Sequence, residues 1–278
     1  MKYLVTESNF KKRCFFVILN GRKQGFYLSN RLAKIFLPSI SKQTIVEFQI
    51  TNKRKKYLGQ YMYQISHFEY IAQANPKVVI YDLHQLRKQM SEVVSKFEYF
   101  LFLDCEMTMP SYQEEEFIPE IVQSGYVLTN RLGEVLVADG DYIKPKRQPR
   151  LNRRTRRFLN LDEQLFWESA ISYNQLYQNI SSIIETYQPK IVVWGKNDII
   201  ALNHSYEIHK KTPLTTEKSF IDLLKLHKDF YNLKDDLGLF KAYQSYYGKL
   251  DDKQIHDAKM DAILTKDIFD AFLLNIKR

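Results

Sequence analysis

Two acidic residues near the middle of the sequence are spaced so that they could bind a metal ion together. Asp104 and Glu106 directly follow an apolar run at 99–103, which predicts a buried strand. Side chains two positions apart in a strand point to the same side, so these carboxylates repel each other unless a cation or a proton separates them. Hard oxygen ligands of this kind suit Mg²⁺ or Mn²⁺. The alternative is a solvated strand end, where acidic residues are common.

Three further residues could complete such a site. Asp198 follows a second apolar run at 190–194 and Gly195, which permits a sharp turn into a helix. The alternative to a metal ligand is a carboxylate that only stabilises the helix, because the helix dipole favours negative charge at the first turn. Asp261 lies in a helical pattern near the end of the sequence, and His256 comes five residues earlier, about 140° away on an ideal helix. His256 must therefore precede the helix to reach the same site, and an ordinary surface histidine is its alternative.

The elements that must position these residues predict an α/β unit. Apolar runs predict buried strands at 99–103, 121–129, 133–143 and 190–194. Helical spacing predicts helices at 161–187, 237–247 and 258–275. The segment 220–226 is either a short strand or a helix start. We therefore expect a mixed sheet flanked by helices over 98–278.

The sequence before residue 98 has a different texture and predicts a separate, mostly β domain at 1–97. Short runs rich in Val, Ile, Phe and Tyr predict strands at 14–19, 25–28, 44–50 and 57–66. Asn20-Gly21 between two of them is a hairpin signal. Several short strands with polar turns favour a small barrel or open sheet, either OB-like or SH3-like. Helical spacing at 82–97 predicts a connector to the second domain.

The excess of basic over acidic residues lies entirely in the first third of the chain. Residues 1–100 hold 17 Lys and Arg against 6 Asp and Glu, whereas the other residues hold 24 against 26. This asymmetry favours a polyanionic partner, with nucleic acid ahead of an anionic membrane, and a solvated lysine-rich surface is the alternative. No run of about 18 apolar residues predicts a membrane span. With two cysteines in 278 residues, a disulfide framework is excluded and a reducing, cytoplasmic location is expected.

The order of these residues along the chain resembles the DEDDh-type 3′–5′ exonucleases of the RNase H-like superfamily, which include RNase T and proofreading subunits. The resemblance covers 98–278. It is carried by Asp-Cys-Glu-Met-Thr at 104–108, Glu-Ile-Val-Gln-Ser-Gly-Tyr-Val at 120–127, Trp-Gly-Lys-Asn-Asp at 194–198 and His-Asp-Ala-Lys-Met-Asp-Ala at 256–262. The motif form is most similar to exonucleases that trim RNA 3′ ends and to sporulation-inhibitor-like exonucleases. Thr108 is followed by Met109-Pro110, where the family usually has a glycine.

The resemblance implies a function and a role for each site residue. Two Mg²⁺ or Mn²⁺ ions are held by Asp104, Glu106, Asp198 and Asp261, and His256 takes a proton from water. The expected reaction releases nucleoside 5′-monophosphates from a free 3′ end of single-stranded RNA or DNA, with RNA slightly favoured. The alternatives are a non-catalytic nucleic-acid-binding protein and a proofreading-type partner subunit of a polymerase.

Three sets of residues are candidates for substrate binding. By the family's pattern, Met107 and Thr108 contact the terminal base and sugar, with a purely structural role as the alternative. Arg153 and Arg154 belong to a basic run at 144–157 that begins as a loop, and such loops usually meet phosphate or are simply solvated. The third set is the basic run Lys53, Arg54, Lys55 and Lys56. It lies beside tyrosines, which could stack on bases or could belong to the core of a hairpin.

Overall fold

A computed structural model of the chain describes residues 1–57, 59–111, 117–231, 233, 235–248 and 257–276. The chain divides into two compact units, Met1–Met90 and Ser91–Arg278. The division falls within helix α2 (Leu83–Val94), the predicted connector, rather than at the expected position after residue 97. Within the described part of the chain, no helix combines the length and the apolar character that crossing a membrane requires.

The first unit is a six-stranded sheet with one helix between its third and fourth strands. Its elements are β1 (Tyr3–Asn9), β2 (Cys14–Leu19), β3 (Arg22–Tyr27), α1 (Asn30–Phe36), β4 (Thr44–Tyr57), β5 (Gln60–Gln73) and β6 (Val78–Asp82). The strand order is β3-β2-β1-β4-β5-β6, and β3 also pairs with β5 in parallel. This extra pairing closes β1 to β5 into a small barrel. The predicted hairpin at Asn20-Gly21 is present, because Leu19 pairs with Arg22 and both turn residues have positive φ.

The second unit is built on a five-stranded mixed sheet. Its strands are β7 (Tyr99–Met107), β8 (Ile121–Asn130), β9 (Val135–Tyr142), β10 (Lys190–Val193) and β11 (Phe220–Asp222). They lie in the order β11-β10-β7-β8-β9, in which β7, β10 and β11 are parallel while β8 is antiparallel to both neighbours. Its helices are α3 (Arg153–Phe158), α4 (Glu163–Ser169), α5 (Tyr173–Tyr187), α6 (Asn197–His209), α7 (Leu223–Tyr231), α8 (Leu239–Tyr247) and α9 (Ala258–Ile276).

Strand β7 is central in this sheet, and its two faces pack against different helices. Leu101, Leu103 and Cys105 belong to a buried cluster that includes side chains of α5 and α6. The alternate residues Phe100 and Phe102 contact Phe269 of α9, with ring centroids 4.9 and 5.4 Å apart. Because successive side chains of a strand alternate, Asp104 and Glu106 share the side of α9. The packing of the apolar residues therefore decides which helix the two carboxylates face.

The first turn of α9 lies directly on strand β8. A Cβ atom added to Gly125 would lie 2.2 Å from the backbone nitrogen of Lys259 and 2.3 Å from the carbonyl carbon of Ala258. The helix backbone can approach this closely only because position 125 has no side chain. In the pairing of β7 with β8, Gly125 lies opposite Asp104. The glycine therefore sets how near α9 comes to the acidic end of β7.

We expect Gly125→Ala to displace α9 and to lower the free energy of unfolding by at least about 2–3 kcal/mol, because backbone atoms cannot move aside as a flexible side chain can. Gly238→Ala is the control, since a Cβ atom there meets no heavy atom within 4 Å. Chemical denaturation of both variants measures the difference. Equal stability of the two would show that the contact at Gly125 does not constrain the helix.

Candidate active site

Three carboxylates converge where β7 faces the start of α9. Asp104 and Glu106 lie near the end of β7, and Asp261 lies in the first turn of α9. Ligand oxygens of these three side chains all lie within 4.8 Å of one another. Glu106 and Asp261 are only 8% and 6% exposed, and Asp104 is half-buried. The structure therefore brings together residues that are more than 150 positions apart in the sequence.

Asp198 faces the same pocket from another direction. Gly195, with φ of +99°, turns the chain out of β10, and Asp198 lies in the first turn of α6, as predicted. Its Oδ1 accepts a hydrogen bond of 3.0 Å from the backbone nitrogen of Cys105, the residue between the two β7 carboxylates. Asp198 is 4% exposed and lines a pocket of about 460 Å³ together with the other three carboxylates.

The burial and mutual repulsion of these groups favour their protonated forms. Burial raises the pKa of Glu106 to about 7, and the nearby charges of Asp261 and Asp198 add to the effect. Burial likewise raises the pKa of Asp261 to about 7, with a further contribution from Asp257. The pKa of Asp198 is also raised by burial to about 7, although the hydrogen bond from Cys105 opposes the shift. The pKa of Asp104 is raised well above its usual value by burial and then by the other carboxylates.

A divalent cation fits the donors that this site presents. The Oδ1 atom of Asp261 is buried and accepts no hydrogen bond from the described residues. A buried acceptor without a partner is costly because it has lost its hydrogen bonds to water. Bringing carboxylates together is costly because like charges repel. A bound cation of the Mg²⁺ or Mn²⁺ class would satisfy the oxygen and neutralise the repulsion, because these ions prefer carboxylate ligands.

The start of α9 is held in place by a buried side chain of β8. Gln123 is 7% exposed and donates a 2.8 Å hydrogen bond from Nε2 to Oδ2 of Asp257. The other oxygen of Asp257 accepts a 2.9 Å hydrogen bond from the backbone nitrogen of Met260. Asp257 therefore caps the helix that carries Asp261. His256, the predicted base, lies outside the described residues.

The two candidates for contact with the terminal nucleotide line the acidic pocket. Met107 is half-buried, and Thr108 is 3% exposed. The hydroxyl of Thr108 accepts a 2.9 Å hydrogen bond from the backbone nitrogen of Glu120. This bond gives Thr108 a structural role, and the hydroxyl proton stays available for a second contact.

The predicted arginines lie on helix α3, beside the acidic pocket. Arg153 and Arg154 line a second pocket of about 610 Å³ together with Arg157, Met109 and Phe158. Met109 and Phe158 also line the acidic pocket, so the two pockets adjoin. The backbone of Met109 is bonded to α3 and its cap: its nitrogen donates to Thr155 Oγ1 at 2.9 Å, and its oxygen accepts from Asn152 Nδ2 at 2.6 Å.

Several pocket residues were not predicted from the sequence. Trp194 and Asn197 belong to the same sequence motif as Asp198, so their position in that motif could have identified them as candidates. Phe158, Leu239 and Phe240 come from α3 and α8, and nothing in their local sequence indicates a site. The side chain of Trp194 donates a 3.0 Å hydrogen bond from Nε1 to the carbonyl of Leu237. This contact fixes the segment that leads into α8 beside the pocket.

The remaining predicted residues belong to the first unit. Lys53, Arg54, Lys55 and Lys56 all lie near the end of strand β4. The guanidinium of Arg54 lies 4.7 Å from the ring centroid of Tyr61, and the Lys55 ammonium lies 4.3 Å from that of Tyr27. Of these two contacts, only that of Arg54 involves a tyrosine close to the basic run in sequence, because Tyr27 belongs to β3.

Comparisons with known proteins identify relatives of one kind. KapD of Bacillus subtilis (strain 168), described as a probable 3′–5′ exonuclease, is 26% identical over 171 residues, which are 61% of this chain and 82% of KapD. The nuclease domain of 3′hExo, a DEDDh family member with bound rAMP, superposes with a TM-score of 0.56 at 18% identity over 64% of this chain and 92% of that domain.

E. coli exonuclease I in complex with a dT13 oligonucleotide superposes with a TM-score of 0.51 at 17% identity, over 65% of this chain and 42% of that protein. No family model matches the chain. The structural similarities show that this chain contains the fold of these nucleases. The predicted resemblance to the DEDDh-type 3′–5′ exonucleases is confirmed.

The raised pKa values predict that metal binding and pH are linked. With pKa values of about 7, Glu106, Asp198 and Asp261 keep protons that the same groups lose near pH 4 in the unfolded chain. The folded state then binds more protons, so the contribution of these groups to the free energy of unfolding falls as the pH rises from about 4 to about 7. Cations compete with those protons and bind better above pH 7.

We therefore expect Mn²⁺ to raise the unfolding temperature by several degrees at about pH 8 and by much less at about pH 5.5, since a ligand at 100 times its Kd adds about 2.7 kcal/mol. Differential scanning calorimetry with excess EDTA as the reference, at matched ionic strength, measures both shifts. An equal shift at the two pH values would mean that Mn²⁺ does not bind these carboxylates.

Proposed function

We infer that this chain is a 3′–5′ exonuclease of the DEDDh type, and we propose that it hydrolyses single-stranded nucleic acid with the help of two Mg²⁺ or Mn²⁺ ions. One observation carries the proposal. Four carboxylates from three separate elements meet in a single pocket, in a chain whose fold is that of DEDDh nucleases. A fold stabilised by burial alone gains nothing from such a cluster, because each charge disfavours its neighbours.

In this proposal Asp104, Glu106, Asp198 and Asp261 are the metal ligands of an RNase H-like nuclease domain. Bound divalent ions supply Lewis-acid stabilisation of negative charge on a phosphate and make a nearby water more acidic. The protein holds each ligand by its backbone position, with two on β7, one at the start of α6 and one at the start of α9. These positions are rigid because each element packs into the core around the sheet.

His256 is proposed as the general base. An imidazole with its ordinary pKa is half-protonated near neutral pH, which suits the removal of a proton from the attacking water. The water oxygen forms a bond to the terminal phosphorus, the bond from phosphorus to the 3′ oxygen of the preceding nucleotide breaks, and that oxygen takes up a proton from solvent. The products are a nucleoside 5′-monophosphate and a strand shortened by one residue, again with a 3′ hydroxyl.

The walls of the acidic pocket suit a terminal nucleoside. Apolar and aromatic side chains lie beside the carboxylates, and they include Met107, Phe158, Trp194 and Phe240. Aromatic side chains stack on any base, which favours a sequence-tolerant enzyme. Contact of Met107 and Thr108 with the terminal base and sugar, the slight preference for RNA over DNA and the cytoplasmic location are part of the proposal.

The alternatives are a non-catalytic binding protein and a partner subunit of a polymerase. The first is disfavoured, because all four carboxylates are present and convergent. A partner subunit would need the polymerase for its function, whereas the main proposal does not. Nuclease activity of the purified chain alone would therefore favour the main proposal.

Digestion of a 5′-labelled single-stranded oligonucleotide tests the proposed function. We expect a ladder of products shortened from the 3′ end with Mn²⁺, no cleavage with EDTA, and a loss of at least about 10³-fold in Asp104→Asn. We expect His256→Ala to lose roughly 10²-fold in turnover while the Mn²⁺-induced thermal shift is kept, whereas Asp261→Asn should lose both. Cleavage by Asp104→Asn at the parent rate, or products shortened from the 5′ end, would contradict the assignment.

We further propose that the arginine pocket receives phosphates upstream of the terminal nucleotide. Arg153 and Arg157 are four residues apart and share one side of α3, and neither forms an ion pair within the described part of the chain. Because this pocket adjoins the acidic one through Met109 and Phe158, a strand whose 3′ end lies among the carboxylates can continue onto the arginines. Arginine is well suited to phosphate oxygens.

The double variant Arg153→Gln/Arg157→Gln should raise KM for a strand of about ten nucleotides roughly tenfold at low salt, with kcat unchanged. The slope of log KM against log salt concentration should decrease by about 0.7 for each phosphate contact that is lost, as expected for single strands. Cleavage of a dinucleotide should be unaffected, because its one phosphate occupies the acidic pocket. Arg131→Gln/Lys218→Gln removes the same charge from exposed positions outside both pockets. An equal effect of this control, or an equal loss with the dinucleotide, would contradict the proposed path.

A further inference from the structure

The connectivity of the N-terminal barrel points to a ligand class. Strands β1 to β5 close in the order β1-β2-β3-β5-β4, with α1 inserted between β3 and β4. This is the connectivity of the OB-fold, whose β2–β3 face and adjoining β1–β2 and β4–β5 loops bind oligonucleotides or oligosaccharides. We infer that the first unit is an OB-type barrel that binds single-stranded nucleic acid on this face. The inference goes beyond the proposed function, because such binding needs neither a 3′ end nor a metal ion.

On the outer side of the β2–β3 face, two half-buried tyrosines pack on a small buried cluster. Phe15 and Val17 point into the barrel core, so the alternate residues of β2 point outward. There, Cys14, Phe16 and Met62 form a separate small cluster, against which two half-buried tyrosines pack. We call this surface the aromatic platform; Tyr27 and Tyr57 supply its accessible rings, because Phe16, against which they pack, is only 9% exposed.

Two lysines lie over the platform. The ammonium of Lys23 is 4.7 Å from the ring centroid of Phe16 and also contacts Glu7, while that of Lys55 is 4.3 Å from the ring centroid of Tyr27. Flat rings beside cations offer stacking to bases and attraction to phosphates at once.

The charge of the neighbouring loop selects nucleic acid over a neutral oligosaccharide. The β1–β2 loop contains three consecutive basic residues, Lys11, Lys12 and Arg13, and β3 begins with Arg22 and Lys23. A polyanion gains from this charge through the release of its counterions.

Strand alternation divides the basic run of β4 between two sides. Lys55 lies opposite Met62 in the β4–β5 pairing, and directly opposed residues share a face, so Lys55 belongs to the platform. Arg54 and Lys56 lie opposite Tyr63 and Tyr61, on the other side of the hairpin. The run therefore does not act as one patch, and neighbouring residues of equal charge provide a matched test.

Binding is measured on the full chain in EDTA, which separates it from cleavage. The probe is a labelled circular single strand of roughly 30 nucleotides, about twice the largest site size of one OB-fold. Because a circle has no 3′ end, the acidic pocket cannot take its terminal nucleotide. Fluorescence anisotropy is recorded with DNA and RNA circles for the parent chain, Lys23→Gln/Lys55→Gln, Arg54→Gln/Lys56→Gln, Tyr27→Ala and Tyr27→Phe.

We expect Lys23→Gln/Lys55→Gln to weaken binding about tenfold at low salt and to flatten its salt dependence, with a change of less than about threefold in Arg54→Gln/Lys56→Gln. Tyr27→Ala should lose roughly fivefold or more through lost stacking, whereas Tyr27→Phe keeps the ring and should bind like the parent chain. An equal loss in both double variants, no binding of either circle, or equally tight binding of a matched duplex would overturn the inference. A chain without nuclease activity would leave this test unaffected.

Discussion

The repulsion between buried carboxylates is the constraint on which the second unit depends. Burial, and after it the charges of neighbouring carboxylates, raises the pKa values of Glu106, Asp198 and Asp261 to about 7 and shifts that of Asp104 in the same direction. Each group disfavours ionisation of the others, so the free energy that assembles them must come from elsewhere in the fold. That free energy comes from apolar packing around β7, with the α5 and α6 cluster on one face and Phe269 of α9 on the other.

Three contacts then set the geometry of the site. The backbone nitrogen of Cys105 donates to Asp198, which links the β7 acids to the start of α6. Gln123 holds the cap of α9, and the bare backbone at Gly125 lets that helix approach the sheet. None of these contacts involves a carboxylate pair directly. The surroundings thus impose the repulsion between the carboxylates, which a bound cation would relieve.

Positive charge has a different setting in each unit. The pocket itself repels a phosphate in the absence of metal, and the adjoining arginines on α3 attract one. In the first unit, positive charge is combined with aromatic rings on one side of a barrel. The two proposals therefore rest on different physics. The arginines contribute electrostatic positioning of a strand near the chemistry, and the platform contributes stacking that is independent of it.

Much of the second unit could be predicted because its local patterns agree with its packing. The apolar run before Asp104 forms a central strand, Gly195 turns the chain at Asp198, and the final helical pattern forms α9. The first unit was harder. Strands β1 and β6 were not predicted, although the run at 78–81 is β-branched and aromatic. In the structure β1 buries only Val5, and β6 has no fully buried residue. Strands β4 and β5 extend beyond the predicted bounds because each is held in extended form by its partner: the polar end of β4 pairs with the start of β5, and the end of β5 pairs with the start of β4.

The sequence by itself determined which carboxylates could bind metal and that they lie at the ends of buried strands or the starts of helices. Those features are local, since they follow from the spacing of side chains along one element. Only the tertiary structure decided that Phe158 and Phe240 form walls of the same pocket, and that Lys55 rather than Lys56 shares a face with Met62. The physical reason is that the pocket is assembled by packing between elements distant in sequence. Bulges also shift the register of the β4–β5 pairing, so the spacing within β4 alone does not show which residue faces which partner.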